Sequence, residues 1–157
     1  RYDAIEQDSA ELFWQGEMLL RQIFDDFGSD ERSIRLMKRA DFHGMCRKRR
    51  DNYRFLLENV RENENLKIVF PSLDEASVPS HFTVYVRERE KVQTLLRNLD
   101  VRTSVYWPQG PFIDLKGQEN TQYIYDNVLS LRCDQRYTAA DMEFTAAALN
   151  SCTERLP

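Results

Sequence analysis

The residues best suited to chemistry are few, and they form no known catalytic motif. The sequence has two histidines, His43 and His81, and it contains no GxGxxG or Walker-type glycine loop, no GxSxG nucleophile motif and no HExxH metal motif. A lone histidine on a helix face or at the start of a strand is more often structural than catalytic. We therefore favour a structural role for both histidines. The sequence motifs identify no catalytic, cofactor-binding or metal-binding residue.

Two aromatic residues, Tyr106 and Trp107, are the remaining site candidates. Alternation of apolar and polar residues predicts a strand over Val101–Trp107, with Tyr106 on one face and Val105 and Trp107 on the other. Pro108 then ends the strand and opens a loop rich in proline and glycine. Aromatic side chains in such a place either line the mouth of a pocket or fill a core, and the residues alone leave both alternatives open.

A run of positive charge, Arg47–Arg50 followed by Arg54, could bind phosphate or nucleic acid. The whole chain has a net charge of −4, whereas a general nucleic-acid binder is usually basic. We therefore interpret the run as a solvated helix face and expect no nucleic-acid partner. Arg49 differs from its neighbours because it lies on the apolar stripe of the helix, so it is expected to be partly buried and paired with a carboxylate.

Composition limits the kind of protein further. With 157 residues, of which 41% are hydrophobic and 31% charged, the chain is ordinary globular material that is long enough for one core. No apolar run approaches the roughly 20 residues of a membrane span, so no membrane partner is expected. Cys46, Cys133 and Cys152 have no paired spacing, which predicts reduced thiols in a cytoplasmic protein.

The elements that must position the site candidates fall into two parts. Residues 1–40 have helical periodicity, with a long amphipathic helix that ends near Gly28 and a shorter one whose N-cap is Ser29 or Asp30. The long helix needs a partner surface, so residues 1–40 are predicted to pack against another domain. On its own, this segment is expected to expose an apolar patch or to self-associate.

From residue 41 onwards, a third helix starts near Asp41 and the period then changes to alternation. The last helix is predicted to begin with a capping box of Thr138 and Asp141. Strands are predicted at Leu66–Phe70, Phe82–Val86, Val101–Trp107 and Val128–Leu131, and helices around 92–99, 119–127 and 142–149. The fold class is therefore α+β: a small mixed or mainly antiparallel sheet of about four strands, backed on one side by helices and preceded by long N-terminal helices.

Several short motifs occur in an order that resembles one family. They are Arg49-Arg-Asp-Asn-Tyr53, the strands that end at Pro71 and Val86, Tyr106-Trp107-Pro108, and Leu129-Ser-Leu-Arg-Cys-Asp-Gln-Arg-Tyr137. Together they cover about two thirds of the chain and resemble the C-terminal small domain of the DegT/DnrJ/EryC1/StrS aminotransferases, which are fold-type I enzymes dependent on pyridoxal phosphate. The sequence departs from the family pattern at Arg132, where proline is commoner.

The resemblance implies that residues 41–157 are an aminotransferase-like small domain that closes over an active site formed mainly by a missing N-terminal large domain. It implies a parent enzyme, usually a homodimer, that transfers an amino group to a small keto substrate, often a nucleotide-linked keto sugar. In the family the aromatic-proline segment faces the substrate, so Tyr106 and Trp107 become substrate-side candidates.

The resemblance also implies what this chain does not do. The family's Schiff-base lysine and phosphate-binding residues lie in the large domain, so this fragment is expected neither to bind pyridoxal phosphate nor to transaminate alone. The competing hypothesis is a free-standing α+β binding or regulatory module without catalysis, since a fold does not fix a function.

Overall fold

The computed structural model describes residues 2–26, 28–106, 109–110 and 112–156, and for residues 2–8 and 10 it describes the backbone alone. Over these residues the chain forms six α-helices and four β-strands. It divides into two compact units, Arg1–Ala40 and Asp41–Pro157.

The first unit is helical. It consists of α1 (Tyr2–Ile23), a 3-10 turn (Phe24–Asp26) and α2 (Glu31–Arg39). Asp30 is the N-cap of α2, because its carboxylate accepts the backbone N–H groups of Arg32 and Ser33 at 2.9 and 3.0 Å. Of the two N-cap candidates in the sequence, the structure therefore selects Asp30.

The apolar side chains of the first unit face solvent. No side chain that the structure describes in residues 9–40 is buried. Those that are more than half exposed include Leu12, Phe13, Trp14, Met18, Leu19, Leu20, Phe24, Leu36 and Met37. A helix with so much exposed apolar surface gains little stability from its own unit.

The second unit is a helix-backed sheet. Its elements are α3 (Phe42–Asn59), β1 (Leu66–Ile68), β2 (His81–Val86), α4 (Arg89–Asn98), β3 (Thr103–Ser104), α5 (Glu119–Asn127), β4 (Val128–Arg132) and α6 (Ala139–Glu154). The strand order is β1-β2-β4-β3, and each neighbouring pair is antiparallel. This confirms the predicted α+β class and its sheet of about four strands.

One face of the sheet forms the core with the helices. Phe82, Val84 and Val86 alternate along β2 and are fully buried, together with Leu129 and Leu131 of β4. Side chains from α3, α4 and α6 complete the same cluster, and they include Leu56, Val92, Leu96, Met142 and Leu149. The predicted capping box fixes the start of α6, because Thr138 accepts from the Asp141 backbone N–H at 3.2 Å and Asp141 accepts from Thr138 in return.

The opposite face of the sheet is polar. Thr83 of β2 and Ser104 of β3 both lie opposite Ser130 of β4. The Thr83 and Ser130 hydroxyl oxygens are 3.4 Å apart. His81 and Arg132 continue the same side of β2 and β4, because residues two apart in a strand share a face. We refer to this side, with its hydroxyl groups, as the polar face.

The predicted strand Val101–Trp107 is too long, since β3 covers Thr103–Ser104 alone. If β3 continued, the register would bring Tyr106 level with Val128. Instead the Tyr106 hydroxyl reaches His81, which pairs with Arg132 at the other end of β4. The chain therefore leaves the sheet after Ser104 and turns back across the polar face.

Candidate functional site

Polar side chains gather where β2 begins and β4 ends. His81 lies directly opposite Arg132 in the β2–β4 pair, and the Cys133 N–H extends the pairing by donating to the Ser80 carbonyl at 3.0 Å. The segment after β3 and the turn after β4 add further polar groups at this edge. The sheet-end cluster, as we call it, consists of Arg49, His81, Tyr106, Arg132, Asp134 and Arg136.

Tyr106 is in contact with His81. Its hydroxyl lies 2.5 Å from His81 Nε2, and the two rings meet edge-on with centroids 4.6 Å apart. On the other side of the imidazole, Nδ1 lies 2.8 Å from the Ser80 hydroxyl. Tyr106 is 49% exposed, so it does not fill the core and a bound molecule can reach it. Trp107, the second aromatic candidate, lies outside the described residues.

Three arginines shape the charge state of His81. Partial burial lowers the pKa of His81, the Arg132 guanidinium lowers it further, and Arg49 and Arg136 act in the same direction, while Asp134 opposes them. Because the ordinary value is already 6.5, His81 is a neutral imidazole at neutral pH. A neutral imidazole bonded to an accessible phenol can accept or relay a proton, and this is the chemistry that the pair offers.

Asp134 is engaged within its own turn. Its carboxylate accepts from the Arg136 guanidinium in a two-pronged arrangement, at 2.9 and 2.7 Å, and from the Arg136 backbone N–H at 3.0 Å. These hydrogen bonds, with the Arg136 charge, hold the pKa of Asp134 at about 2. Asp134 is therefore ionised at neutral pH, and its charge is balanced by Arg136.

Arg49 corrects one expectation from the sequence. It is partly buried, as predicted, but its Nε donates at 2.6 Å to the amide oxygen of Gln135 rather than to a carboxylate. The nearby carboxylate, Asp134, is taken by Arg136. The prediction of a carboxylate partner was wrong because a neutral amide can satisfy the directed hydrogen bonds of a guanidinium without balancing its charge.

Asn52 and Tyr53 of α3 fix the segments around the cluster. The buried Asn52 amide donates to the carbonyls of Cys133, Asp134 and Tyr137 at 3.2, 3.0 and 3.1 Å. The Tyr53 hydroxyl donates to the Phe70 carbonyl at 2.8 Å. The Asn-Tyr pair and the Asp-Gln-Arg-Tyr stretch, which are far apart in sequence, are therefore in direct contact through Asn52.

The cysteine nearest the cluster is unreactive, and no metal-binding group accompanies it among the described residues. Burial raises the pKa of the Cys133 thiol to about 12, so it is not a nucleophile at neutral pH. All three cysteines are free. Among the described residues, no group of histidine, cysteine and carboxylate side chains could hold a metal ion, and no helix is long and apolar enough to cross a membrane.

The lysines of the described chain do not fit pyridoxal phosphate. A lysine that holds this cofactor as an imine needs a low pKa and an enclosed site. Lys91 instead forms an ion pair with Glu88 at 2.9 Å on the surface, and Lys38, Lys67 and Lys116 are exposed. Lys48 is half-buried on α3 but is not part of the sheet-end cluster. We therefore derive no cofactor chemistry from this chain's own residues.

The sequence located part of this site. It named Tyr106 as a candidate and Arg132 as an unusual residue, and it grouped Asp134 with Arg136 in one stretch. It did not connect His81 with Tyr106, since that contact depends on the early end of β3 and the return of the chain over the polar face. The sequence does not indicate that β3 ends early, because the alternating pattern continues to Trp107.

Comparison with known proteins gives a likeness of fold. No protein-family model matches the sequence, and no curated protein matches it significantly. Among solved structures, a Streptococcus pneumoniae protein assigned as a sugar aminotransferase, in its PMP form, superposes with a TM-score of 0.63 at 11% identity, covering 73% of this chain and 32% of that chain.

Two further solved structures match this chain over a similar share of its length. DesV of S. venezuelae, in complex with a ketimine intermediate, has a TM-score of 0.62 at 15% identity, with 73% of this chain and 33% of its own covered. A DegT DnrJ EryC1 StrS aminotransferase from Brucella abortus has a TM-score of 0.51 at 12% identity, with 72% of this chain and 31% of its own covered. The chain thus spans about a third of the length of the structures that it matches, and at these identities the likeness establishes the fold alone.

Proposed function

We propose that the chain is the C-terminal small domain of a pyridoxal-phosphate-dependent sugar aminotransferase of the DegT/DnrJ/EryC1/StrS type. The observation that carries the proposal is the fold, which is shared with sugar aminotransferases over about a third of their length. The sequence motifs support it independently, because the order of Arg49–Tyr53, Tyr106–Pro108 and Leu129–Tyr137 resembles the same family.

In this proposal the residues of the chain cover and shape a reaction whose cofactor lysine lies outside residues 1–157. The exposed Tyr106, with His81, points from the edge of the polar face towards the substrate, and Trp107 continues the same substrate-side segment. The substrate is a keto sugar carried on a nucleotide. Hydroxyl, phenol and imidazole groups are suited to a sugar because each can donate and accept hydrogen bonds.

The first unit has a separate role in this proposal. Its exposed apolar side chains pack against the large domain, which supplies the partner surface missing from residues 1–40. The parent enzyme is a homodimer in the cytoplasm, where free thiols such as Cys46 and Cys152 persist.

The proposal is tested on the protein isolated from its source at its natural length. We expect its mass to exceed twice the 18.7 kDa of this chain, and we expect it to transfer the amino group of an amino acid to a nucleotide-linked keto sugar. A natural polypeptide of 18.7 kDa that binds a small molecule and lacks transaminase activity would instead support a free-standing module.

A matched pair of variants tests the role of Tyr106 in that assay. Tyr106→Phe is expected to lower kcat/KM for the keto sugar about tenfold, because one hydrogen bond to the substrate side is lost. The control is Tyr123→Phe, since Tyr123 is on α5 and packs its ring against Tyr85 away from His81. Equal effects of the two substitutions on kcat/KM would contradict the placement of Tyr106 on the substrate side.

A further inference from the structure

Arg132 is a half-buried cation without an ion-pair partner among the described residues. It lies at the end of β4 on the polar face, opposite His81. Within the part of the chain that the structure describes, it makes no hydrogen bond or ion pair with any side chain. A guanidinium that is partly withdrawn from water without a partner destabilises the fold, and an anion that supplies hydrogen bonds and charge removes that penalty.

The surroundings of Arg132 are positive beyond this one side chain. Arg49 and Arg136 are near enough to act on the same imidazole as Arg132. Asp134 neutralises Arg136 through the two-pronged pair, and Arg49 is held by the neutral Gln135 amide. Among the described residues, Arg49 and Arg132 are therefore the two arginines of the sheet-end cluster that form no ion pair.

The second face available to Arg132 is less suited to an anion. A cavity of about 160 Å³ also borders Arg132, between the start of β3 and α6. Asp100 and Asp141 line that cavity together with Arg102, so its two carboxylates match the two arginines at its border and leave no excess positive charge for an anion there. On the polar face Arg132 lies opposite His81, where the charge of Arg49 also acts, so this is the side on which an anion is favoured.

We infer that Arg132 forms an oxyanion-binding subsite on the polar face at the sheet-end cluster, where Arg49 adds positive charge. The guanidinium of Arg132 presents paired N–H donors that match the oxygens of a phosphoryl or carboxylate group. Arg132 stands where the resembling family more often has proline, so this subsite is a property of this chain. The identity of the bound oxyanion rests on the proposed function. It is the diphosphate of a nucleotide-linked sugar or the carboxylate of the amino donor.

The test uses the fact that the chain has two histidines, His43 and His81. Their imidazole NMR signals are followed in the purified chain while inorganic pyrophosphate, or acetate in a second arm, is added. We expect the His81 signals to move saturably and the His81 pKa to rise, because a bound anion offsets the neighbouring arginines. The exposed His43 on α3 is the internal control and is expected to stay unchanged.

Variants assign the effect to Arg132. Arg132→Gln is expected to weaken the binding at least tenfold, whereas Arg97→Gln, which removes one exposed charge from α4, leaves it unchanged. Arg132→Lys keeps the charge but loses the fork of donors, so it is expected to weaken binding less than Arg132→Gln. Far-UV circular dichroism checks the fold of each variant.

Three results would overturn the subsite: parallel shifts of His43 and His81, absence of saturation with both anions, or wild-type binding by Arg132→Lys and Arg132→Gln. Tighter binding of pyrophosphate than of acetate identifies the diphosphate source, and the reverse identifies the carboxylate. Because the titration uses neither cofactor nor keto sugar, its failure leaves the aminotransferase proposal standing, and a failed transaminase assay leaves the subsite standing.

Discussion

The two units of the chain use the same kinds of apolar side chains in opposite ways. In the second unit, Leu56, Leu131 and Leu149 are buried in one core that joins helices to a sheet. In the first unit, Leu19 and Leu36 are 55% and 61% exposed, although helical periodicity is as clear there as in the second unit. The difference teaches that an apolar pattern predicts a helix but not whether its partner surface lies in the same chain.

The largest expected effect comes from the core of the second unit. Leu131→Ala removes a fully buried side chain between β4 and α6, and we expect it to lower the free energy of unfolding by about 3 kcal/mol. The control is Leu36→Ala in α2, where an exposed side chain should change stability by less than about 0.5 kcal/mol. Urea unfolding followed by circular dichroism gives both values. Equal losses in the free energy of unfolding would contradict the distinction between a packed second unit and an unpacked first unit.

Asn52 is expected to have the next largest effect. Asn52→Ala removes the amide donor that the carbonyls of Cys133, Asp134 and Tyr137 share in the turn after β4, which should cost about 2 kcal/mol. Asn59→Ala on the same helix is the matched control, because the Asn59 amide makes a single exposed bond to the Phe55 carbonyl. If both variants unfold at the same urea concentration, the turn around the sheet-end cluster does not depend on Asn52.

The first unit is expected to respond through association instead of stability. We expect the purified chain to self-associate through the exposed side chains of α1, and Leu19→Glu with Leu20→Glu to weaken this at least tenfold, about 1.4 kcal/mol. Sedimentation velocity at several concentrations measures the change, with Gln15→Glu as a control for added charge on α1. A wild-type chain that stays monomeric at all concentrations would contradict the packing role of residues 1–40.

The smallest expected effect is the pH dependence of the Asp134–Arg136 pair. The pKa of Asp134 is lowered to about 2 from 3.8, so the pair stabilises the fold above about pH 4, and this contribution is lost as pH falls towards 2. Since the Arg136 side chain is 68% exposed, solvent screens the pair, and we expect a smaller loss of stability than for Asn52→Ala.

Asp134→Asn should therefore be slightly less stable than wild type at pH 7, and the two should converge as pH falls below 4. Urea unfolding at a series of pH values checks this, with Asp51→Asn as the control for a surface ion pair with Arg54. A gap between wild type and Asp134→Asn that persists at pH 2 would show that the pair does not act through ionisation.

Much of the fold could be predicted from the sequence because local signals and burial agree there. The alternation along Phe82–Val86, the capping box of Thr138 and Asp141, and α5 at Glu119–Asn127 all lie where the sequence indicated. Each of these features is set by neighbours within one element, so a single sequence contains the signal.

The candidate site could be predicted only in part, because its contacts join segments that are distant in the chain. The Tyr106–His81 hydrogen bond needs β3 to end at Ser104, and the alternating pattern gives no sign of that end. The partner of Arg49 depended on how Arg136 and Asp134 pair with each other, which a helix pattern does not encode. Arg132 was visible in the sequence as a departure from a family pattern, but only the structure shows that it forms no ion pair with any described residue.

The most direct test of the account maps where pyridoxal phosphate attaches in the natural-length protein. Borohydride reduces a cofactor–lysine imine to a stable adduct, and peptide mass spectrometry then locates the modified lysine. We predict one stoichiometric adduct on a lysine outside residues 1–157, and none when the 157-residue chain is treated alone with equimolar cofactor. A stoichiometric adduct on Lys38, Lys48, Lys67, Lys91 or Lys116 would contradict the claim that this chain covers a reaction whose cofactor is held elsewhere.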